Sequence, residues 1–113
     1  METGSSMRFT LTAFLPAILF FCSCGQSIEE IEKLPIDEKG KALYENNCAS
    51  CHGVDGKMGN SGAKDLSEST LTDQETINAI LYGNEKGMPP FKDQLGSEEN
   101  ITLLLAYVKS LRK

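Results

Sequence analysis

The chain has 113 residues, room for one domain and little more. Its net charge is −5 and it has no tryptophan, a balance that argues against a nucleic-acid partner, which selects basic faces. The overall charge leaves protein partners open, because local charge patterning matters more than the sum.

Arg8 followed by the apolar run Phe9 to Phe21, interrupted only by Thr10, Thr12 and Pro16, has the pattern of a signal peptide. The run is shorter than the roughly 20 apolar residues that a bilayer span needs. Either Met1 or Met7 suits as the start. The run leads into Phe21-Cys22-Ser23-Cys24-Gly25, which resembles a bacterial lipoprotein processing site. A small residue belongs before the acylated cysteine, so Ser23-Cys24 fits and Phe21-Cys22 does not. We expect residues 1–23 to be a lipoprotein-type signal, with Cys24 as the lipidated mature N-terminus. The alternative is that Cys22 and Cys24 are ordinary residues lost with the signal. Export is expected on both readings, placing the protein on the periplasmic side of a bacterial membrane.

About 90 residues follow, few for a self-sufficient apolar core. Residues 24–36 are polar and acidic and read as the lipidated N-terminus and a tether, with a short helix over Ile28 to Leu34 as the competing reading. Residues 37–113 form the expected domain. Its first helix runs from Asp37 to about Asn47 and places Gly40, Leu43 and Tyr44 on one face. Gly40 marks either a close helix approach or a frayed first turn.

Cys48-Ala49-Ser50-Cys51-His52 follows at once. Cys-x-x-Cys-His is the attachment signature of c-type haem. Thiols three positions apart on a helical turn project to one side and can add to the two vinyl groups of one porphyrin, and the next histidine reaches the iron. A covalent haem would also fill the shortage of apolar core.

Gly53 to Ala63 carries four glycines and no apolar period, so it reads as a loop. Thr72-Asp73-Gln74-Glu75 matches a capping box, followed by the apolar stripe Ile77, Ile80 and Leu81 and a stop at Gly83. Gly87 to Gly96 reads as irregular. Ser97 caps a last helix from Glu98 to Arg112, acidic at its start and basic at its end, with Ile101, Leu104, Leu105, Val108 and Leu111 at the helical period and Leu103 and Tyr107 widening the buried arc. No strand signal is visible, so the expected class is all-α.

His52 is the chain's only histidine, so a second axial ligand within one monomer must be something else. Met88, in Gly87-Met88-Pro89-Pro90-Phe91, is the best candidate: thioether sulfur partners histidine on haem and raises its potential. The flanking prolines stiffen the backbone around it. Met58 lies six residues past His52 in the glycine-rich loop, on the side the attachment turn already occupies. It is a minor alternative.

These elements resemble a small class I, monohaem cytochrome c of the bacterial kind. The resemblance rests on Gly40-x-x-Leu43-Tyr44, Cys48 to His52, the glycine-rich loop, Leu66, Met88-Pro89-Pro90-Phe91 and Leu104-x-x-Tyr107-Val108, spanning residues 37–112. It implies three to four helices around one covalently bound haem c, with the N- and C-terminal helices crossing through Gly40, Tyr44 and Tyr107. It implies thioether bonds at Cys48 and Cys51, His52 as proximal ligand and Met88 as distal ligand. The implied function is one-electron transfer, with no catalysis and no small-molecule substrate, among membrane respiratory complexes or periplasmic carriers. We expect Tyr44, Leu66, Ile80, Phe91 and Leu104 to shield the ring. One departure stands out: the family often has a proline after the histidine whose carbonyl orients the imidazole, and Gly53 to Leu66 has none. Another carbonyl must serve.

Competing classes are a thiol–disulfide enzyme at Cys48 and Cys51, which wants a βαβ context, and a structural zinc site, which wants a fourth ligand. A haem enzyme or sensor, peroxidase-like or gas-binding, would need an open axial position. A cytochrome subunit of a larger oxidoreductase is a further alternative.

Overall fold

The computed structural model describes residues 25–113; the expected signal segment, Cys22 and Cys24 lie outside the described residues. Those described fold into α-helices, 3-10 turns and loops, with no strand among them.

The first helix, α1 (Ile28–Ile31), lies within the stretch expected to be a tether. It is a single turn, started by the Glu30 carboxylate accepting the Ser27 backbone N–H at 3.3 Å. Ile31 is fully buried in the core and Leu34 packs against it. Residues 28–34 therefore dock on the domain, and the helix within them, Ile28–Ile31, covers the first part of the competing short-helix reading. Burial of one isoleucine rather than helix propensity holds this turn, since four residues cannot sustain a helix alone. Polar pairing completes the docking. Glu32 accepts from the Lys39 ammonium and from the Asn100 amide, each at 2.6 Å.

Pro35 precedes α2 (Ile36–Asn47), so this helix starts one residue before Asp37, and Asp37 and Glu38 complement its first turn. Gly40 is buried within it. A Cβ there would sit 2.6 Å from the Leu103 carbonyl oxygen, so the glycine permits backbone contact between α2 and α6 (Glu98–Ser110). Of the two readings of Gly40, close approach is the one observed. One turn further on, the Tyr44 and Tyr107 rings lie 5.2 Å apart between centroids, tilted by 48°. Leu43 and Leu104, both fully buried, continue the same interface.

Short α3 (Ala49–His52) continues almost directly from α2, the Cys48 N–H donating to the Tyr44 carbonyl at 2.8 Å. After the glycine-rich loop comes α4 (Asp73–Tyr82), whose capping box forms as expected: the Glu75 N–H donates to Thr72 Oγ1, and the Thr72 N–H to the Glu75 carboxylate at 2.8 Å. Ile80 is its core residue. The stretch expected to be irregular holds α5 (Lys92–Leu95), a single turn whose Leu95 is fully buried. Ser97 caps α6 by accepting the Asn100 N–H, and the helix ends at Ser110, two residues short of expectation. Near that end the Lys109 ammonium lies 2.8 Å from Asp73, and Arg112 donates to the Leu71 carbonyl and to Thr76 Oγ1. These contacts tie α6 to the start of α4. The three longer helices and the α3 turn match the expected framework; the single turns α1 and α5 are added by packing.

Candidate haem-binding site

Cys48, Cys51 and His52 come together because α3 is one helical turn, and no disulfide joins the thiols. Cys48 and His52 are buried and Cys51 is half-buried. Burial, reinforced by the neighbouring Cys51, pushes the Cys48 thiol up to about 12. The thiolate is the nucleophile of disulfide exchange, so this thiol is poorly set for redox cycling.

The imidazole is held from behind. His52 Nδ1 lies 2.9 Å from the Lys64 carbonyl oxygen. A carbonyl only accepts, so Nδ1 carries the proton, and in the neutral ring Nε2 is then the nitrogen with the lone pair. Lys64 thus supplies the carbonyl that no proline provides. No side-chain pattern announces it, because any residue offers a backbone oxygen.

The glycine-rich loop is fastened around this turn. The Met58 N–H donates to the His52 carbonyl at 2.9 Å, Asn60 Nδ2 to the Ser50 carbonyl at 3.1 Å, and the Leu66 N–H to the Gly56 carbonyl at 2.8 Å. The Tyr44 hydroxyl donates to the Gly53 carbonyl at 2.6 Å, so the helix crossing also braces the residue after His52. Asp65 turns the chain just beyond Lys64 by accepting from the Ser67 N–H at 2.8 Å and its hydroxyl at 2.7 Å.

Met88 sits on the loop between α4 and α5, half-buried against the cluster that contains Cys48. Met58 is 52% exposed. Gly83 begins the Met88 loop with φ +69, and a Cβ there would run into the Met88 carbonyl and lie 2.9 Å from the Pro89 carbonyl carbon. The loop therefore folds back tightly on the end of α4, where the Phe91 N–H donates to the Ile80 carbonyl at 3.0 Å. Of the five residues expected to shield a ring, Tyr44, Ile80 and Leu104 are buried and Leu66 and Phe91 half-buried. Among the described residues, no group of three His, Cys, Asp or Glu side chains is placed to hold a bare metal ion, so the zinc alternative finds no ligand set.

Residues 36–108 match the family model of cytochrome c oxidase, cbb3-type, subunit III. The chain belongs to this cytochrome c family. The cytochrome is 33% identical over 76 residues to the cbb3-type cytochrome c oxidase subunit CcoP of Rubrivivax gelatinosus, covering 64% of this chain and 25% of the relative. It is 34% identical over 77 residues to a cytochrome bc1 complex cytochrome c subunit of Corynebacterium diphtheriae, covering 66% and 27%. The cytochrome thus spans about a quarter of the length of these relatives. With cytochrome c6 of Leptolyngbya boryana the identity is 39% over 74 residues, covering 61% of this chain and 85% of the relative. The solved c-type cytochrome KustC0563 superposes with a TM-score of 0.59 at 30% identity, covering 66% of this chain and 98% of that one. The fold is that of a small all-α cytochrome c.

Membership implies haem c, and the donor set fits it. Two unpaired thiols share one turn with an imidazole whose Nδ1 proton is engaged, and a thioether lies on a separate loop packed against the same core.

Proposed function

We propose that this cytochrome carries one haem c, bound through thioethers at Cys48 and Cys51, with His52 and Met88 as axial ligands. Its role is then to pass single electrons between redox proteins. When bound, the haem supplies an iron that alternates between two oxidation states. The chain's own residues do the rest. Lys64 holds the Nδ1 proton of His52 and so presents Nε2 in a fixed orientation. The Met88 thioether would be the second protein ligand holding the iron and would favour the reduced state. Apolar side chains such as Leu66 and Phe91 would keep water from the ring. One electron enters and one leaves, and no bond is made or broken in a substrate.

The observation that carries this reading is the 2.9 Å contact from His52 Nδ1 to the Lys64 carbonyl, made on the turn that bears both thiols. A thiol–disulfide site has no use for such an oriented imidazole. The relatives add partners to the proposal: two are named as subunits of a cbb3 oxidase and of a bc1 complex, so respiratory complexes or carriers that serve them are the expected redox partners. We further propose export, with a lipid anchor at Cys24. No described helix is long and apolar enough to cross a membrane.

The test is a redox titration followed by absorbance, on wild type and on Met88→Ala. We expect a haem c spectrum with a sulfur–iron signature that disappears in the variant, together with a fall in potential. A wild type that lacks this signature and binds small ligands such as carbon monoxide freely would favour a sensor or peroxidase-like role. A protein without a haem band would end the proposal.

A further inference from the structure

One residue, Asn84, gathers the hydrogen bonds inside the Met88 loop. Asn84 Oδ1 accepts the Lys86 N–H at 2.9 Å and the Met88 N–H at 3.4 Å. The Asn84 N–H donates to the Met88 carbonyl at 3.0 Å, and the Asn84 carbonyl accepts the Gly87 N–H at 3.2 Å. Both backbone polar groups of Met88 are thus held by Asn84. Pro89 and Pro90 have no N–H to give. The Met88 amide is consequently the last donor before Phe91, and Asn84 receives it.

Helix capping does not account for Asn84. The end of α4 is closed one residue earlier by the Gly83 N–H, which donates to the Ala79 carbonyl at 2.9 Å. The far end of the loop is pinned independently by Phe91 on Ile80. What remains for Asn84 to determine is the path between those two pins, where Met88 lies. An asparagine suits the task, because its short side chain reaches backbone donors two and four residues ahead. Alanine offers no acceptor; aspartate keeps one.

We infer that Asn84 is a positioning residue for Met88, holding the loop so that the thioether stays in place as a ligand and small molecules are kept off the iron. The inference rests on the proposed ligation by Met88. Its effect is read as affinity for an external ligand, since apparent binding scales with the fraction of molecules whose site is open.

The experiment uses the haem-loaded protein and imidazole as probe, with the sulfur–iron band recorded in parallel. Asn84→Ala should retain the band yet bind imidazole roughly tenfold more tightly than wild type, a factor equivalent to about 1.4 kcal/mol. Asn84→Asp, which keeps the side-chain acceptor, should bind within about threefold of wild type, a difference below about 0.7 kcal/mol on the same scale. Met88→Ala should lack the band and bind most tightly. If Asn84→Ala takes up imidazole as wild type does, while the band still depends on Met88, the positioning role is overturned and the ligand assignment stands. Equal loosening in Asn84→Ala and Asn84→Asp would also overturn it, because the acceptor would then be irrelevant. If wild type shows no sulfur band and matches Met88→Ala, the ligand assignment falls and the inference falls with it.

Discussion

Lys64 orients His52 through its main-chain oxygen, 2.9 Å from Nδ1, and Asp65 fixes the turn that delivers that oxygen. The bond donates electron density to the ring, and on the proposed haem iron it would make Nε2 a stronger ligand. Asp65→Ala removes the acceptor for the Ser67 N–H and hydroxyl and frees the turn. A weaker Nδ1–H···O bond should disfavour the oxidised iron, so the reduction potential should rise. Voltammetry on the two proteins checks this; an unchanged potential would mean the carbonyl is held without Asp65.

Gly40 has no slack. Its missing Cβ would meet the Leu103 oxygen at 2.6 Å and the carbonyl carbon at 3.2 Å, both backbone atoms that cannot swing away. Gly40→Ala must part α2 from α6 and disturb the Tyr44–Tyr107 contact. The expected cost is about 2 kcal/mol, within the usual range for overpacking. In a domain of this size that lowers the midpoint by on the order of 10 °C. Thermal unfolding followed by circular dichroism measures it, and a midpoint equal to wild type would show that the helices have room to separate.

The two cysteines should be separable in their effect on haem retention. On the proposed attachment, Cys48→Ala or Cys51→Ala would leave one thioether, whereas the double substitution would leave none. Denatured protein extracted with acidified organic solvent should release its haem only from the double variant. Retention there would contradict attachment at this turn.

Acid should loosen α1 before the rest of the domain. The hydrogen bond from Lys39, then that from Asn100, holds the Glu32 carboxyl below the usual carboxylate range. The unfolded chain therefore binds this proton first as pH falls. Glu32's contribution is complete above the ordinary carboxylate pKa and is lost as pH drops through the lowered folded value. Lys39, 4% exposed, would then face the interior without its partner. Protection of the Ile31 amide against hydrogen exchange, taken relative to its intrinsic rate at each pH, should fall in that window, and Glu32→Gln should remove that pH dependence of the protection. Ile31→Ala, which empties a fully buried site, should destabilise the domain by about 2–5 kcal/mol at any pH.

Elements announced by local chemistry were legible in the sequence. Thr72 and Ser97 cap their helices through side-chain oxygens, and the apolar stripe of α6 repeats often enough to be seen. The single turns were harder to read. Ile31 and Leu95 each anchor a turn too short to show a period, and what holds them is contact with distant residues. At the site, the Cys48-to-His52 turn and the Met88 loop were visible because their side chains are distinctive. Lys64 was not, since its contribution is a carbonyl common to every residue. Asn84 left only a faint trace, an Asn three positions before a glycine.

The docking of α1 changes the reach of the domain. An unstructured run from residue 24 to residue 36 could extend about 40 Å or more at 3.3–3.6 Å per residue. Instead Gly25 already lies against α2, where a Cβ would be 3.2 Å from Asn46 Oδ1, and Ile31 is locked inside. With the anchor proposed at Cys24, the free leash shrinks to a residue or two. The domain would then ride close to the lipid surface in a restricted set of orientations. It would serve partners standing beside it rather than search a wide volume around its attachment point.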